Sequence, residues 1–422
     1  MTLTEKCMAA ILAFPLAVAG GDLLLTDKLQ SQIRDNHSTV EESNKERNGF
    51  MITNKVPAGN IQVVSVNGHD VELDVELRDT STDWFYWCFK VKFPEKGLYR
   101  FRFTRGGKVG TRGPAVSRDG GKSWKWLDAA THESDREFEY TCNEPGEELI
   151  FCQTMQYLQN NWETFLAEFS DHGAMHPGTL CQSRKGRDVE LLTIREGNPK
   201  TSILLTSRHH AGETMATHAL EGFLRAVLAD DAFGRSFRQR FAVFAVPFTD
   251  KDGVEDGDQG KNRIPHDHAR DYQEPGIYPE TIALRKLLDR EKPAFVLDLH
   301  CPWIRGGETN EVSYMVGTGI EHLDREMDRF ADLLEAERIP QAPYFKKNDI
   351  PFGTSWNTAQ NYTQGKTIKH YAAGLPFVRN AQTIEIPFAN FGEVTVDRNA
   401  MLAYGASIAR AVYRYLTENN GK

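Results

Sequence analysis

The sequence predicts an α/β protein in two parts: an antiparallel β-sandwich, then an α/β domain with a mixed, largely parallel sheet and helices on both faces. Three observations predict it. At 422 residues the chain exceeds one ordinary domain. Between about Gly59 and Tyr157, apolar residues alternate or run in short stretches broken by Gly, Asn, Asp and Pro, which is the pattern of strands and turns. From roughly Asn160 onward, short apolar runs alternate with longer segments of helical period, as crossover helices over a parallel sheet require. The expected divisions are a leader over 1–19, the sandwich over 22–157 and the α/β domain over 158–422.

Lys6 precedes an apolar run from Cys7 to Ala19 that ends in the small residues Ala17-Val18-Ala19. This resembles a secretory signal peptide and is too short to span a bilayer comfortably. Cleavage would place the protein in the periplasm or outside the cell; an uncleaved segment would be a buried helix or strand of a cytoplasmic protein. Residues 26–58 are polar, read as an edge strand and a loop. The sandwich strands are IQVVSV, VELDVEL, WFYWCFKVKF, LYRFRF, EFEYTC and ELIFCQTMQY. Ser117, Asp119, Gly121 and Trp124 have the spacing of an Asp-box hairpin; a single copy closes one hairpin, since a propeller would repeat it.

In the second part, TSILLTS, FAVFAVPF, AFVLDLH and TIEIPFA read as buried strands. TMATHALEGFLRAVL places Met215, Ala219, Leu220, Phe223, Leu224 and Val227 on one helical face. ETIALRKLLDR, LDREMDRFADLLEA and MLAYGASIARAVYRYL are further helices. The segment from Thr249 to Pro275 is a long polar loop, and long loops after buried strands tend to carry function.

Composition sets limits on function. With 40% hydrophobic and 26% charged residues the chain can build two cores. A net charge of −9 gives no broad basic surface, which disfavours nucleic acid, and no segment reads as a stable membrane insertion. The six cysteines form no CxxC pair, and losing Cys7 with the leader leaves an odd number. That excludes a dense disulfide framework while allowing one bridge of unspecified pairing.

The chemistry gathers at strand ends, where the ligands of open α/β sheets bind. RHHAGET follows the first strand and sets His210 and Glu213 three apart in a strand-to-helix turn. AFVLDLH ends in His300. Two imidazoles and a carboxylate suit zinc and leave its fourth position open, as catalytic sites do. His209 is a rival for His210, but only His210 gives the HxxE spacing. Glu385 lies on an otherwise apolar strand, where an unpaired carboxylate is costly unless it has work to do; a structural ion pair with an arginine is the competing explanation. Arg263 and Arg270 are candidates for carbonyl polarisation and carboxylate recognition. His266 and His268 flank Asp267 in an HxH pattern that could bind a metal or shape the pocket.

At this point the residues resemble the M14 zinc carboxypeptidases, and within them the cytosolic-carboxypeptidase-like branch of bacterial type. HAGE, DKDGV, the Asp267–Arg270 stretch, the His300 strand end and TIEIP carry the resemblance from about Asn160 onward, and WFYWCFKVKF extends it into the sandwich. It implies a carboxypeptidase-like α/β fold and one Zn2+ per chain held by His210, Glu213 and His300. It also implies that Glu385 activates the attacking water and later protonates the leaving amine. By position, Arg263 would polarise the scissile carbonyl, Arg270 would bind the terminal carboxylate, and Asp267 would orient the first histidine. Tyr362 would close over the substrate terminus, with Tyr371 as the alternative. The substrate would be a peptide or protein C-terminus.

One departure matters. Ala269 stands where the family usually has Asn before the carboxylate-binding Arg, so His268, Asn262 or Lys261 would have to help, or the substrate would not end in an ordinary carboxylate. Lys366, Lys369 and His370 fall in the specificity segment, and a cation there would favour an acidic C-terminal residue. Two other classes compete: a zinc amidohydrolase such as a deacylase or peptidoglycan peptide amidase, and a catalytically silent binding protein. Retention of Glu385 argues against the silent one. No GxSxG elbow supports serine hydrolysis.

Overall fold

The computed structural model describes residues 44–47, 49–128, 132–307 and 309–418. The leader expected over 1–19, with Cys7, lies outside the described residues.

Among the described residues ten strands build the sandwich: β1 (Asn44–Arg47), β2 (Phe50–Thr53), β3 (Gln62–Asn67), β4 (Asp70–Asp74), β5 (Cys88–Lys92), β6 (Gly97–Phe103), β7 (Ala115–Ser117), β8 (Lys125–Trp126), β9 (Glu137–Cys142) and β10 (Glu148–Cys152). One sheet has the order β1-β2-β5-β10-β7-β8 and the other β3-β4-β6-β9. Every pair is antiparallel except β4 with β6, which run parallel. Alternation explains the packing: β6 buries Tyr99, Phe101 and Phe103 and turns Arg100 and Arg102 outward. Phe101 meets Phe138 at 4.9 Å and Phe151 at 5.6 Å between ring centroids, so aromatic rings fill the space between the sheets. A disulfide joins Cys88 to Cys152, register partners on β5 and β10. The Asp-box residues close the β7–β8 hairpin: Asp119 Oδ1 accepts from the amides of Lys122 and Ser123 at 3.0 and 2.9 Å. The Ser123 hydroxyl, with those amides, holds the Asp119 carboxyl down at about 2.

After α1 (Gln159–Glu168) comes a seven-stranded sheet made of β11 (Met175–Gln182), β12 (Asp188–Ile194), β13 (Thr201–Ser207), β14 (Phe241–Val246), β15 (Phe295–His300), β16 (Tyr314–Met315) and β17 (Asn380–Glu385). Its order is β11-β12-β14-β13-β15-β17-β16, and the four central strands are parallel. These are the four apolar runs read as buried strands. The helices are α2 (Thr214–Leu228), α3 (Ala232–Arg240), α4 (Lys251–Asp256), α5 (Pro279–Glu291), α6 (Glu321–Ala336), α7 (Ile368–Ala372) and α8 (Arg398–Thr417), and a small hairpin joins β18 (Asn390–Phe391) to β19 (Val394–Thr395). Alternate strand residues face opposite layers. Ile203, Leu205, Leu297 and Ile384 pack with α2, α6 and α8, while Leu204, Val296 and Ala381 pack with α5 and α7. Both faces are therefore covered, which is why these strands lack polar alternation.

The polar segment after β14 is not all loop. Asp250 caps α4 by accepting from the Gly253 amide at 3.0 Å, and Gly257 ends it with φ +77°. No described helix is long and apolar enough to cross a membrane.

Candidate metal centre and active site

His210, Glu213, His300 and Glu385 come together at the carboxyl ends of the parallel strands. His210 lies in the turn between β13 and α2, Glu213 is the residue before α2, and His300 and Glu385 end β15 and β17 as register partners. The turn is tight. Arg208 has φ +61° and is buried, with its guanidinium bonded to the Ala211 and Tyr157 carbonyls. A strained residue held by hydrogen bonds on either side of the turn is the cost of aiming the next histidines inward.

The donor atoms converge. His210 Nδ1 lies 2.7 Å from Glu213 Oε1, His300 Nδ1 lies 2.8 Å from Glu213 Oε2, and the two Nδ1 atoms are 3.2 Å apart. One nitrogen or oxygen from each of the three lies within 4.8 Å of the others. The far side of each ring meets a buried carboxylate: Asp298 Oδ2 at 2.8 Å from His300 Nε2, and Asp267 Oδ2 at 3.6 Å from His210 Nε2. Carboxylates behind imidazoles fix ring orientation and raise donor strength, as metal ligands need. This donor set fits zinc.

Electrostatics agree. Burial alone would raise the Glu213 carboxyl, but His210 and His300 beside it hold it well below the usual carboxylate range. Burial likewise opposes Asp267 and Asp298, yet neighbouring rings keep both low, His210 for the former and His209 with His300 for the latter. Glu385 differs. Burial raises it, the nearby Glu213 charge adds to the rise, and the pull of His300 does not cancel them. A buried carboxyl raised in this way is suited to accept and return a proton.

His209, His300 and Asp298 also cluster, but His209 has no ring nitrogen to spare. Its Nδ1 meets Asp298 Oδ1 at 2.7 Å and its Nε2 meets the Tyr272 hydroxyl at 2.6 Å, while Thr206 Oγ1 donates to the same Asp298 oxygen at 2.8 Å. That set is a hydrogen-bonded support behind His300. Asp298 was readable, because residues two apart on a strand share a face. The HxH pair does not converge: His266 bonds Asp271 at 2.7 Å, and His268 stacks on Tyr278 at 3.7 Å.

Two cavities adjoin the centre. One of about 310 Å3 is lined by Glu213, Lys261, Glu385 and the aromatic rings of Trp84, Trp303 and Trp356. The other, about 40 Å3, holds His210, His300 and Glu385 together with Arg270, Tyr362 and Lys369. Arg270 Nε donates to the Asn361 carbonyl at 3.1 Å, and its guanidinium lies 5.2 Å over the Tyr362 ring. Lys369 Nζ donates to the Val316 carbonyl at 2.6 Å; burial brings it down to about 8.

Two expectations are corrected. Arg263 does not face either cavity: its guanidinium is buried among Asp79, Asp250 and Asp258, with Asp250 at 2.6 Å and Asp258 at 3.1 Å. Asp79 comes from the sandwich, which counting along the second domain could not foresee. His370 lies outside the cavity lining, packed on Tyr362 at 4.8 Å with Nδ1 at 2.8 Å from Thr367 Oγ1. Tyr371, the alternative to Tyr362, packs with Tyr272 instead. The aromatic walls Trp84, Trp303 and Trp356 were not anticipated, since tryptophans in strands and loops read first as core.

The Peptidase_M14 family pattern, described as zinc carboxypeptidase, matches residues 160–276. Over 355 residues the chain is 26% identical to an uncharacterised protein of Zymomonas mobilis, covering 80% of this chain and 87% of that protein. It is 26% identical to cytosolic carboxypeptidase 2 of Xenopus tropicalis across 71% of this chain, and that match spans only 35% of the longer protein. In fold, a metallo-carboxypeptidase from Burkholderia cenocepacia superposes with TM-score 0.71 at 17% identity, covering 87% of this chain and 99% of that one. A metallo-carboxypeptidase from Pseudomonas aeruginosa gives 0.69 at 20% identity, with coverage of 87% and 99%.

Proposed function

We infer that this chain, a protein of the M14 zinc carboxypeptidase family and of its cytosolic-carboxypeptidase-like kind, releases C-terminal residues from peptides by zinc-assisted hydrolysis. The observation that carries this reading is the convergence of His210 Nδ1, His300 Nδ1 and the Glu213 carboxylate beside Glu385, a buried carboxyl outside the ligand set. Zinc held there would acidify water and polarise a carbonyl.

The chain's own residues account for the rest. Glu385, raised by burial, takes a proton from the attacking water and later delivers it to the departing amine. Asp298 and Asp267 keep the two imidazoles turned inward. Arg270, in the lining of the cavity that also holds Glu385, receives the terminal carboxylate, and Tyr362 covers it. A guanidinium in that place favours a free C-terminus over an internal amide. The test is Glu385→Gln. Zinc content should stay near one per chain while kcat falls ~10²–10⁴-fold; turnover at the wild-type rate would refute the assignment.

The same cavity favours an acidic terminal residue, because Lys369 adds its cation to those of Arg270 and Lys261 in the lining. Matched peptides ending in Glu and Leu should differ in kcat/KM in favour of Glu. Lys369 is charged below about 8 and neutral above it, so the preference should shrink as pH rises through that value. Faster release of Leu at neutral pH would rule it out.

A further inference from the structure

With Arg263 enclosed by three carboxylates, the carbonyl under attack needs another cationic partner, and the structure has one in Lys261. Its side chain lines both cavities that adjoin Glu385. The other two cations of these walls are engaged, Arg270 with the Asn361 carbonyl and Tyr362, and Lys369 with the Val316 carbonyl. The Lys261 ammonium rests 5.8 Å over the Trp84 ring and has no ion-pair partner among the described residues.

The backbone that carries Lys261 is fixed on both sides. Gly260 has φ +73°, and a Cβ there would lie 2.0 Å from the Ala211 amide nitrogen, so this turn packs directly on the chain that bears His210. On the other side Asn262 is clamped by the sandwich. Its carbonyl accepts from the Ser81 amide at 3.0 Å and the Ser81 hydroxyl at 2.8 Å, and its Nδ2 donates to Thr82 Oγ1 at 2.9 Å. The Asn262 amide donates to Asp267 at 2.9 Å, which ties the same turn to the support of the first histidine. Only the lysine side chain is left to move, and an ammonium on a flexible stem can leave an aromatic face for a stronger anion.

We propose that Lys261 is a catalytic residue that stabilises the oxygen of the scissile carbonyl, a role that rests on the carboxypeptidase reading above. As water oxygen bonds to the carbonyl carbon, Glu385 takes the water proton and the C=O π pair moves onto oxygen, where the ammonium faces it. When the pair returns, the C–N bond breaks and Glu385 gives the proton to the amine. A positive group that engages charge developing only in the transition state raises kcat more than it tightens binding. The sandwich thereby takes part in catalysis, since Ser81, Thr82 and Trp84 hold the turn and the resting lysine.

The test compares Lys261→Met and Lys261→Arg with wild type on one peptide, with zinc measured in each. The Met variant should keep its zinc and lose ~10²–10³-fold in kcat, with KM within ~3-fold; Arg should recover at least ~10-fold of the loss. A Met variant within ~3-fold of wild-type kcat would overturn the proposal. So would a rise in KM alone, which would make Lys261 a binding group for the substrate carboxylate. If wild type releases no residue, or Glu385→Gln is fully active, the carboxypeptidase reading itself fails and the proposal falls with it.

Discussion

His300 meets a carboxylate on each side of its ring, Glu213 at Nδ1 and Asp298 at Nε2, both at 2.8 Å. The second is as consequential as the first, because it decides which nitrogen carries the proton and leaves Nδ1 as the donor. Asp298→Asn keeps the shape and removes the charge, so the fold should survive while zinc is held ~10–100-fold less tightly. Competition against a chelator measures this, and an unchanged midpoint would mean that Asp298 only packs. At this scale much of the site was legible. HxxE in a strand-to-helix turn, a histidine at a strand end and a glutamate on an apolar strand each broke a local rule, and the structure brings all four residues together. Arg263 was misread because its partners are set by tertiary contact: Asp79 lies 184 positions away in sequence.

Elements were legible in proportion to their burial. The four central strands are apolar on both faces and could be nothing else of that length, whereas β16, β18 and β19 have two residues each and exist only through the partners they pair with. Helix α4 was hidden in a polar segment because six residues carry little period; its cap and its left-handed glycine define it. The turn after it is the sharpest case of sequence meeting structure. Gly260 needs both its positive φ and its missing Cβ. Gly260→Ala should cost more than about 2 kcal/mol, since left-handed strain adds to a backbone clash that only displacement of the His210 turn relieves. The denaturant midpoint and the zinc content should fall together. Loss of stability with full zinc retention would show that the turn yields on the Lys261 side instead.

For the whole molecule, the sandwich and the α/β domain share buried charge. Arg78 from the sandwich bonds Asp258 at 2.6 Å and Glu76 at 3.0 Å, and its guanidinium also reaches the Asp256 carbonyl. Arg263 from the α/β domain returns the contact through Asp79. Neutral groups add to the seam: Tyr86 and Gln259 exchange two hydrogen bonds of 2.7 and 2.8 Å, and Asn60 Nδ2 donates to the Gly257 carbonyl at 2.7 Å. Buried ion pairs add little net stability when complete but are costly when broken, because each orphaned charge stays desolvated. Arg263→Met strands Asp79 and Asp250, leaves Asp258 with Arg78 alone, and should cost about 3–5 kcal/mol. Asp79→Asn leaves Arg263 its two other carboxylates, so about 1.5–3 kcal/mol is expected, a charged hydrogen bond's worth; it serves if the Met variant does not fold. Calorimetry should show one cooperative transition for wild type, displaced as a unit in Asp79→Asn, because the seam belongs to both parts. Two wild-type transitions, with only one moved by the substitution, would mean that the sandwich folds independently. In that event it could not hold the turn that carries Lys261 through thermal opening of the seam.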